Sequence, residues 1–199
     1  ASYEAGGASC LSVLTDGPHF GGSAADLATA RAATSLPVIR KDFTVSALDV
    51  LDARLMGADC VLLIAAALSD DELAEFGALA GAIGLDALVE THDEAEVERA
   101  LATTSTGLIG VNQRDLVSFE VDQERAVRVA AAIPADVVRV AESGVRGVDD
   151  AVALAAAGYD AVLVGEHLVT SGDPAAAIAA LRVPRDPAGR VPRSSTAHR

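Results

Sequence analysis

Several short apolar runs in this chain end in residues that can move protons or hold anions. Val38-Ile39 leads into Arg40-Lys41-Asp42, and Ala87–Val89 into Glu90-Thr91-His92. Asn112-Gln113-Arg114 follow Leu108–Val111, Glu142-Ser143-Gly144 follow Val137–Ala141, and Gly165-Glu166 follow Ala161–Val164. Ser12 lies inside the first run, Cys10–Leu14, and Thr15-Asp16 come after it; Cys60–Ile64 ends blandly in Ala65–Ala67. A lysine among carboxylates can donate a proton or stabilise a developing oxyanion, which suits Lys41. Glu90 directly follows an apolar run, so partial desolvation is expected to raise its pKa toward a useful acid/base range. Glu142 offers a second carboxylate for positioning. Gly144 and Gly165 can present backbone N–H groups to a phosphate, helped by a following helix N-terminus. Taken singly, polar residues of this kind solvate a rim or cap the next helix. Their chemistry depends on a fold that brings them to one place.

The seven apolar runs are unbroken rather than alternating, the pattern of parallel strands covered on both faces. Helical segments lie between them. Ser69 and Glu72 form a capping box before a run to Ile83, which Gly84 stops. Asp173-Pro174 reads as an N-cap with proline at the first helical position. Ser23 can cap 24–33, Gly57 follows 47–56, Gly158 follows 149–157, His92-Asp93 can open 94–101, and 123–132 completes the set. Repeated strand–helix units predict a parallel sheet. An open doubly wound sheet and a closed (β/α)8 barrel both satisfy this. Seven similar units without a Gly-x-Gly-x-x-Gly fingerprint after the first strand favour the barrel. Its active site would then gather at the C-terminal strand ends, with phosphate bound after the last two strands. The fold expected is thus an α/β (β/α)8 TIM barrel of the phosphate-binding type. Eight strands are needed and seven are found. Ala1–Ala5 reads as the last turn of a helix stopped by Gly6-Gly7. The first strand and its preceding helix are therefore expected to be absent from this chain, leaving Cys10–Leu14 and Ala161–Val164 with unpaired edges.

The 199 residues suffice for one domain, assigned to 1–182. Residues 183–199, rich in Pro, Arg and Ser with little to bury, are expected to be a disordered tail. The net charge is −14; from Arg182 onward five Arg and one Asp give +4, so the body carries −18. That argues against nucleic acid as a partner. No apolar run approaches the ~18 residues of a membrane span. Cys10 and Cys60 each sit in an apolar run and read as small buried hydrophobes, which fits a reducing, cytoplasmic setting. The four histidines, 19, 92, 167 and 198, lack ligand spacing, so no metal is expected, and His92 is assigned to helix initiation.

The segments SVLTDGPHFGGS, LPVIRKDF, GADCVLLIAA, LVETHDEAE, IGVNQRDL, VAESGV and DAVLVGEHL, in this order, resemble signature segments of indole-3-glycerol phosphate synthase. The resemblance runs to about Leu181. It implies a cofactor-free, metal-free barrel lyase of tryptophan biosynthesis. Its substrate is a small phosphorylated aromatic, 1-(2-carboxyphenylamino)-1-deoxyribulose 5-phosphate, which is cyclised, decarboxylated and dehydrated. By the resemblance, Lys41 is the general acid of ring closure and Glu90 the carboxylate of the dehydration step. Asn112 and Arg114 organise the centre, and Glu142 stands near the substrate amino group. Ser12 lies beneath the site, and Phe20 covers the aromatic ring. Ser143, Gly144, Leu163, Gly165 and Glu166 hold the phosphate and line the pocket. Gln113 stands where the family often has Asn. The family's first-strand glutamate and Lys-x-Ser-Pro-Ser segment have no counterpart here, so little activity is expected of this chain alone. The alternative is an inactive barrel fragment that binds phosphate or takes its first strand from a partner. In a complete barrel, Lys41→Ala is expected to abolish catalysis while leaving the fold intact.

Overall fold

A computed structural model describes residues 1–184 except 116, 117 and 119. The assigned tail therefore lies outside the described residues from 185 onward. Seven parallel strands run in sequence order across one sheet: β1 (Leu11–Leu14), β2 (Val38–Lys41), β3 (Cys60–Ile64), β4 (Asp86–Thr91), β5 (Leu108–Asn112), β6 (Val138–Glu142) and β7 (Ala161–Leu163). Helices alternate with them: α1 (Ser2–Ala5), α2 (Gly17–Phe20), α3 (Ala24–Ala33), α4 (Ala47–Leu55), α5 (Asp70–Ala82), α6 (Glu94–Thr103), α7 (Gln123–Val129), α8 (Val148–Ala156), α9 (Glu166–Val169) and α10 (Pro174–Leu181).

The local signals act where the sequence places them. Ser69 accepts from the Glu72 N–H and Glu72 reaches back to the Ser69 N–H, which starts α5. Such a cap is worth about 1 kcal/mol. Ser23, Ser46, Asp93 and Asp173 cap α3, α4, α6 and α10 through the same side-chain-to-backbone bond. Gly57, Gly84 and Gly158 take positive φ beyond the ends of α4, α5 and α8, a backbone region where a Cβ is strained.

Side chains alternate across each strand and make two cores. One face, with Val38, Val61, Leu63, Val89, Ile109 and Ala141, packs under the helices. The other gathers Ile39, Cys60, Leu62, Ile64 and Leu88, with Leu108, Val140 and Leu163 against them. Ser12, Ile39, Cys60, Leu88, Leu108, Val140 and Leu163, one from each strand, line a single cavity of about 600 Å³. A flat sheet cannot bring its outermost strands to one cavity, so the sheet curls into a near-closed barrel. This is the (β/α)8 architecture with seven strands described. Outside, α1 packs on α10, so the helical ring meets where the sheet does not. Among the described residues, β1 and β7 each pair on one side only. Cys10, expected to be buried, is exposed at that open edge, while Cys60 is buried.

Among the described residues no helix is long and apolar enough to cross a membrane.

Candidate active site

Four of the strands run further than apolarity alone suggests, while β7 ends at Leu163, one residue before the expected Val164. Lys41, Glu90, Asn112 and Glu142 were expected just past the strand ends, but all lie inside β2, β4, β5 and β6. The ladder continues because these residues point into the barrel mouth, where they bond one another. Asn112 pairs with Glu142 in register between β5 and β6.

The mouth is built around one ammonium between two carboxylates. Lys41 Nζ donates to Glu90 Oε2 at 2.6 Å and lies 3.2 Å from Glu142 Oε2. The second contact is an ion pair without hydrogen-bond alignment, and neither Glu142 oxygen has a hydrogen-bond partner among the described residues. Asn112 Nδ2 donates to Glu90 Oε1 at 3.0 Å. Both carboxylates are about 1% exposed, whereas the Lys41 side chain keeps 20%. The cation is thus the member of the trio that meets the solvent side.

Burial alone would push Glu90 up, as the sequence suggested. Here the Lys41 charge and the bonds from Lys41 and Asn112 outweigh burial and hold Glu90 below the usual carboxylate value. The raised carboxyl is Glu142. Burial, with the Glu90 charge adding to it, pushes Glu142 up to about 7 against the pull of Lys41. The two carboxylates are driven apart by environment, the arrangement that separates an acid from a base.

Arg40 points the other way, as alternation requires. It is buried, with its guanidinium donating to Asp49 O on α4, to Thr15 Oγ1 and to Asp42 Oδ2. Thr15 Oγ1 also donates to Asp42. Asp42 therefore holds Arg40 rather than Lys41, and its other oxygen accepts from the Phe43 N–H to start the next loop. Phe43 stacks on Phe20 with ring centroids 6.0 Å apart, and both rings are exposed at the rim.

The remaining predicted residues spread around the mouth. Ser12 and Leu163 line the cavity, and Leu163 pairs in register with Glu142 between β6 and β7. The Arg114 N–H donates to Asn112 Oδ1, and its guanidinium lies 3.5 Å from the exposed Glu166 carboxylate. After β6 the backbone turns sharply: Ser143 has φ 63° and Gly144 φ 70°. Positive φ at a non-glycine residue is a local strain that surrounding contacts must hold. Gln113 donates to Ser143 O and Gln123 to Gly144 O, which hold this turn. Gly165 begins the short α9 after β7.

Sequence reasoning gave no role to Gly110, Phe43 or Thr15. Gly110 faces the barrel interior in β5, and a Cβ there would collide with Glu142 Oε1. An isolated glycine within an apolar strand was the available signal. Gly110→Ala is expected to displace the Glu142 carboxylate and cost about 1–3 kcal/mol, as overpacking does. Urea unfolding checks this, and wild-type stability would show that Glu142 has room to spare.

The family model for indole-3-glycerol phosphate synthase matches residues 1–181. The chain is 51% identical over 180 residues to the indole-3-glycerol phosphate synthase of Mycobacteroides abscessus, covering 90% of this chain and 66% of that protein. It is 54% identical over 181 residues to indole-3-glycerol phosphate synthase 1 of Streptomyces coelicolor, covering 91% and 67%. The chain thus spans about two thirds of the length of the curated relatives it matches. Among solved structures it resembles 3-hexulose-6-phosphate synthase, at 18% identity with TM-score 0.73 and 91% of each chain covered. It also resembles thiamine phosphate pyrophosphorylase from Pyrococcus furiosus, at 15% identity with TM-score 0.68, covering 91% of this chain and 84% of that one. These distant likenesses speak to the fold alone. The family match over nearly the whole chain, together with relatives at about half identity, places this chain in the indole-3-glycerol phosphate synthase family.

Proposed function

We propose that the protein carrying this chain converts 1-(2-carboxyphenylamino)-1-deoxyribulose 5-phosphate to indole-3-glycerol phosphate. The observation that carries the reading is Lys41 held between Glu90 and Glu142 at the strand C-termini. In ring closure the arene carbon bearing the carboxylate bonds to the ketone carbon, and charge grows on the ketone oxygen. Lys41, the solvent-side member of the trio, is the group to protonate that oxygen. Carbon dioxide then leaves, and its electron pair restores the aromatic ring. The new hydroxyl leaves as water after taking a proton, and the neighbouring CH2 carbon gives one up. Lys41 and Glu90, 2.6 Å apart, can serve as that acid and base. Asn112 fixes Glu90, and Glu142 sits beside both, facing the substrate amine.

Phe20 and Phe43 supply an apolar rim for the anthranilate ring. Arg114 supports the substrate from just past β5, with Ser12 and Leu163 lining the cavity. The backbone at Ser143, Gly144 and Gly165 would hold the phosphate. The Glu166 carboxylate would repel that phosphate, so its part is through the backbone at the start of α9. Adding the carboxyphenylamino substrate to the full-length protein should raise indole fluorescence. No rise from that protein would sink the synthase reading.

A second reading has one observation in its favour. β1 and β7 have open edges, and the 600 Å³ cavity reaches Cys10 and Ala161 between them. In that reading the 199 residues act only when a further strand closes the sheet, whether from the same protein or from a partner. Robust turnover by the 199 residues alone would rule it out.

A further inference from the structure

His92-Asp93 were expected to open the helix over 94–101, and Asp93 caps α6 while the His92 N–H donates to Glu96 in its first turn. The His92 ring stands between two carboxylates. Its Nδ1 is 3.1 Å from Glu96 Oε2, which also accepts from the His92 N–H at 2.8 Å. Its Nε2 is buried without a hydrogen-bond partner among the described residues and points at Glu90 Oε1, 3.7 Å away. That is about 0.8 Å beyond a hydrogen bond. The Oε1 atom is the oxygen that Lys41 does not use and that Asn112 does. His92 also lines a separate cavity of about 430 Å³, together with Glu96, Asp115, Arg125 and Arg128.

We propose that His92, braced by Glu96, is a positioning residue for Glu90. Its imidazolium Nε2–H orients Oε1 and keeps the carboxylate matched to the Lys41 ammonium. The inference rests on the synthase reading only for its kinetic consequence. Charges face the ring from three sides. Glu90 on β4 and Glu96 on α6 favour the imidazolium, and Arg125 on α7 opposes it. Burial also opposes it, but the bond from Glu96 and the two carboxylate charges prevail, so His92 keeps its proton above the ordinary value.

The direct test is NMR of the full-length protein in a Glu142→Gln background, which removes the other group titrating near neutrality. The Glu90 carboxyl carbon should show a step at the pH where the His92 ring loses its proton, in a scan of about pH 5.5 to 8.5. Glu96→Gln should move that step to lower pH, and His92→Gln should abolish it. A flat Glu90 signal, or a step that survives His92→Gln, overturns the proposal. In turnover, with Glu142 intact, His92→Leu should lower kcat about tenfold with KM little changed. His92→Gln, which keeps an N–H donor, should recover most of that loss. Equal kcat in all three proteins also overturns the proposal. If no form turns over, the synthase reading fails, and the NMR result still decides the role of His92.

Discussion

Replacing Lys41 with alanine is expected to reduce turnover by at least a hundredfold and to make folding stability fall steeply as pH rises. The first effect follows from losing a general acid, worth roughly 10²–10⁴ in rate. The second follows from the neighbours. Nζ lies 2.6 Å from Glu90 and 3.2 Å from Glu142, and both carboxylates are buried. Removing one partner of a buried charge group costs about 3–5 kcal/mol, because the other charges stay behind unpaired. Without the ammonium, both carboxyls should have folded pKa values above their unfolded ones. Such groups stabilise most below the unfolded value, and that stability is lost as pH rises through the folded value. The variant should therefore approach wild type near pH 5 and fall well short of it at pH 8. Urea unfolding at both pH values reads this directly. Lys41→Met, which keeps much of the apolar stem, controls for lost packing. Equal losses at both pH values would mean that packing, not charge, is what Lys41 supplies. The fold of Lys41→Ala is therefore expected to be close to wild type in acid and weakened at pH 8.

The barrel and most of the mouth were legible in the sequence for concrete reasons. Val, Ile and Leu runs with caps at Ser23, Ser69 and Asp173 fix the strand–helix repeat by local chemistry alone. Strand alternation requires Lys41 and Arg40 to face opposite ways, and they do. What stayed hidden depends on partners distant in sequence. Burial after an apolar run argued for a raised Glu90, but Lys41, 49 residues away, reverses it. The raised group is Glu142, whose pocket exists because Gly110 on the next strand has no side chain. The link from His92 to Glu90 stayed hidden because it crosses the strand end rather than following the helix. The ends of β2, β4, β5 and β6 were placed too early because polar residues look like turns until their partners in the mouth are known.

Those opposite shifts carry the second large expectation: Glu142→Gln should be more stable than wild type at pH 8 and nearly equal to it near pH 4.5. Glu142 has its folded pKa pushed up to about 7, from 4.5. The native protein therefore holds a proton that the unfolded chain has already released. Stability from this group is fully present below about 4.5 and is lost as pH rises through about 7, to an extent on the order of 3 kcal/mol. The amide keeps the shape and carries no charge at either pH, so this loss should vanish in the variant. His92 is also raised and keeps a smaller loss in the same direction. Glu90 is lowered, so its contribution is present above its unfolded value and is lost in acid. Neither change removes the difference between the two proteins. Lys41 gives a separate readout, because it is the only lysine of the chain and its side-chain signal needs no assignment. The Glu142 charge helps to raise the Lys41 pKa, so the lysine should titrate lower in Glu142→Gln. If the variant loses stability equally at pH 5 and pH 8, Glu142 is charged in the native protein throughout. If it behaves as expected, the mouth at neutral pH holds a charged Glu90 as base beside Glu142, a carboxyl still able to give up a proton. The two carboxylates would then be separated by which of them Lys41 aligns with.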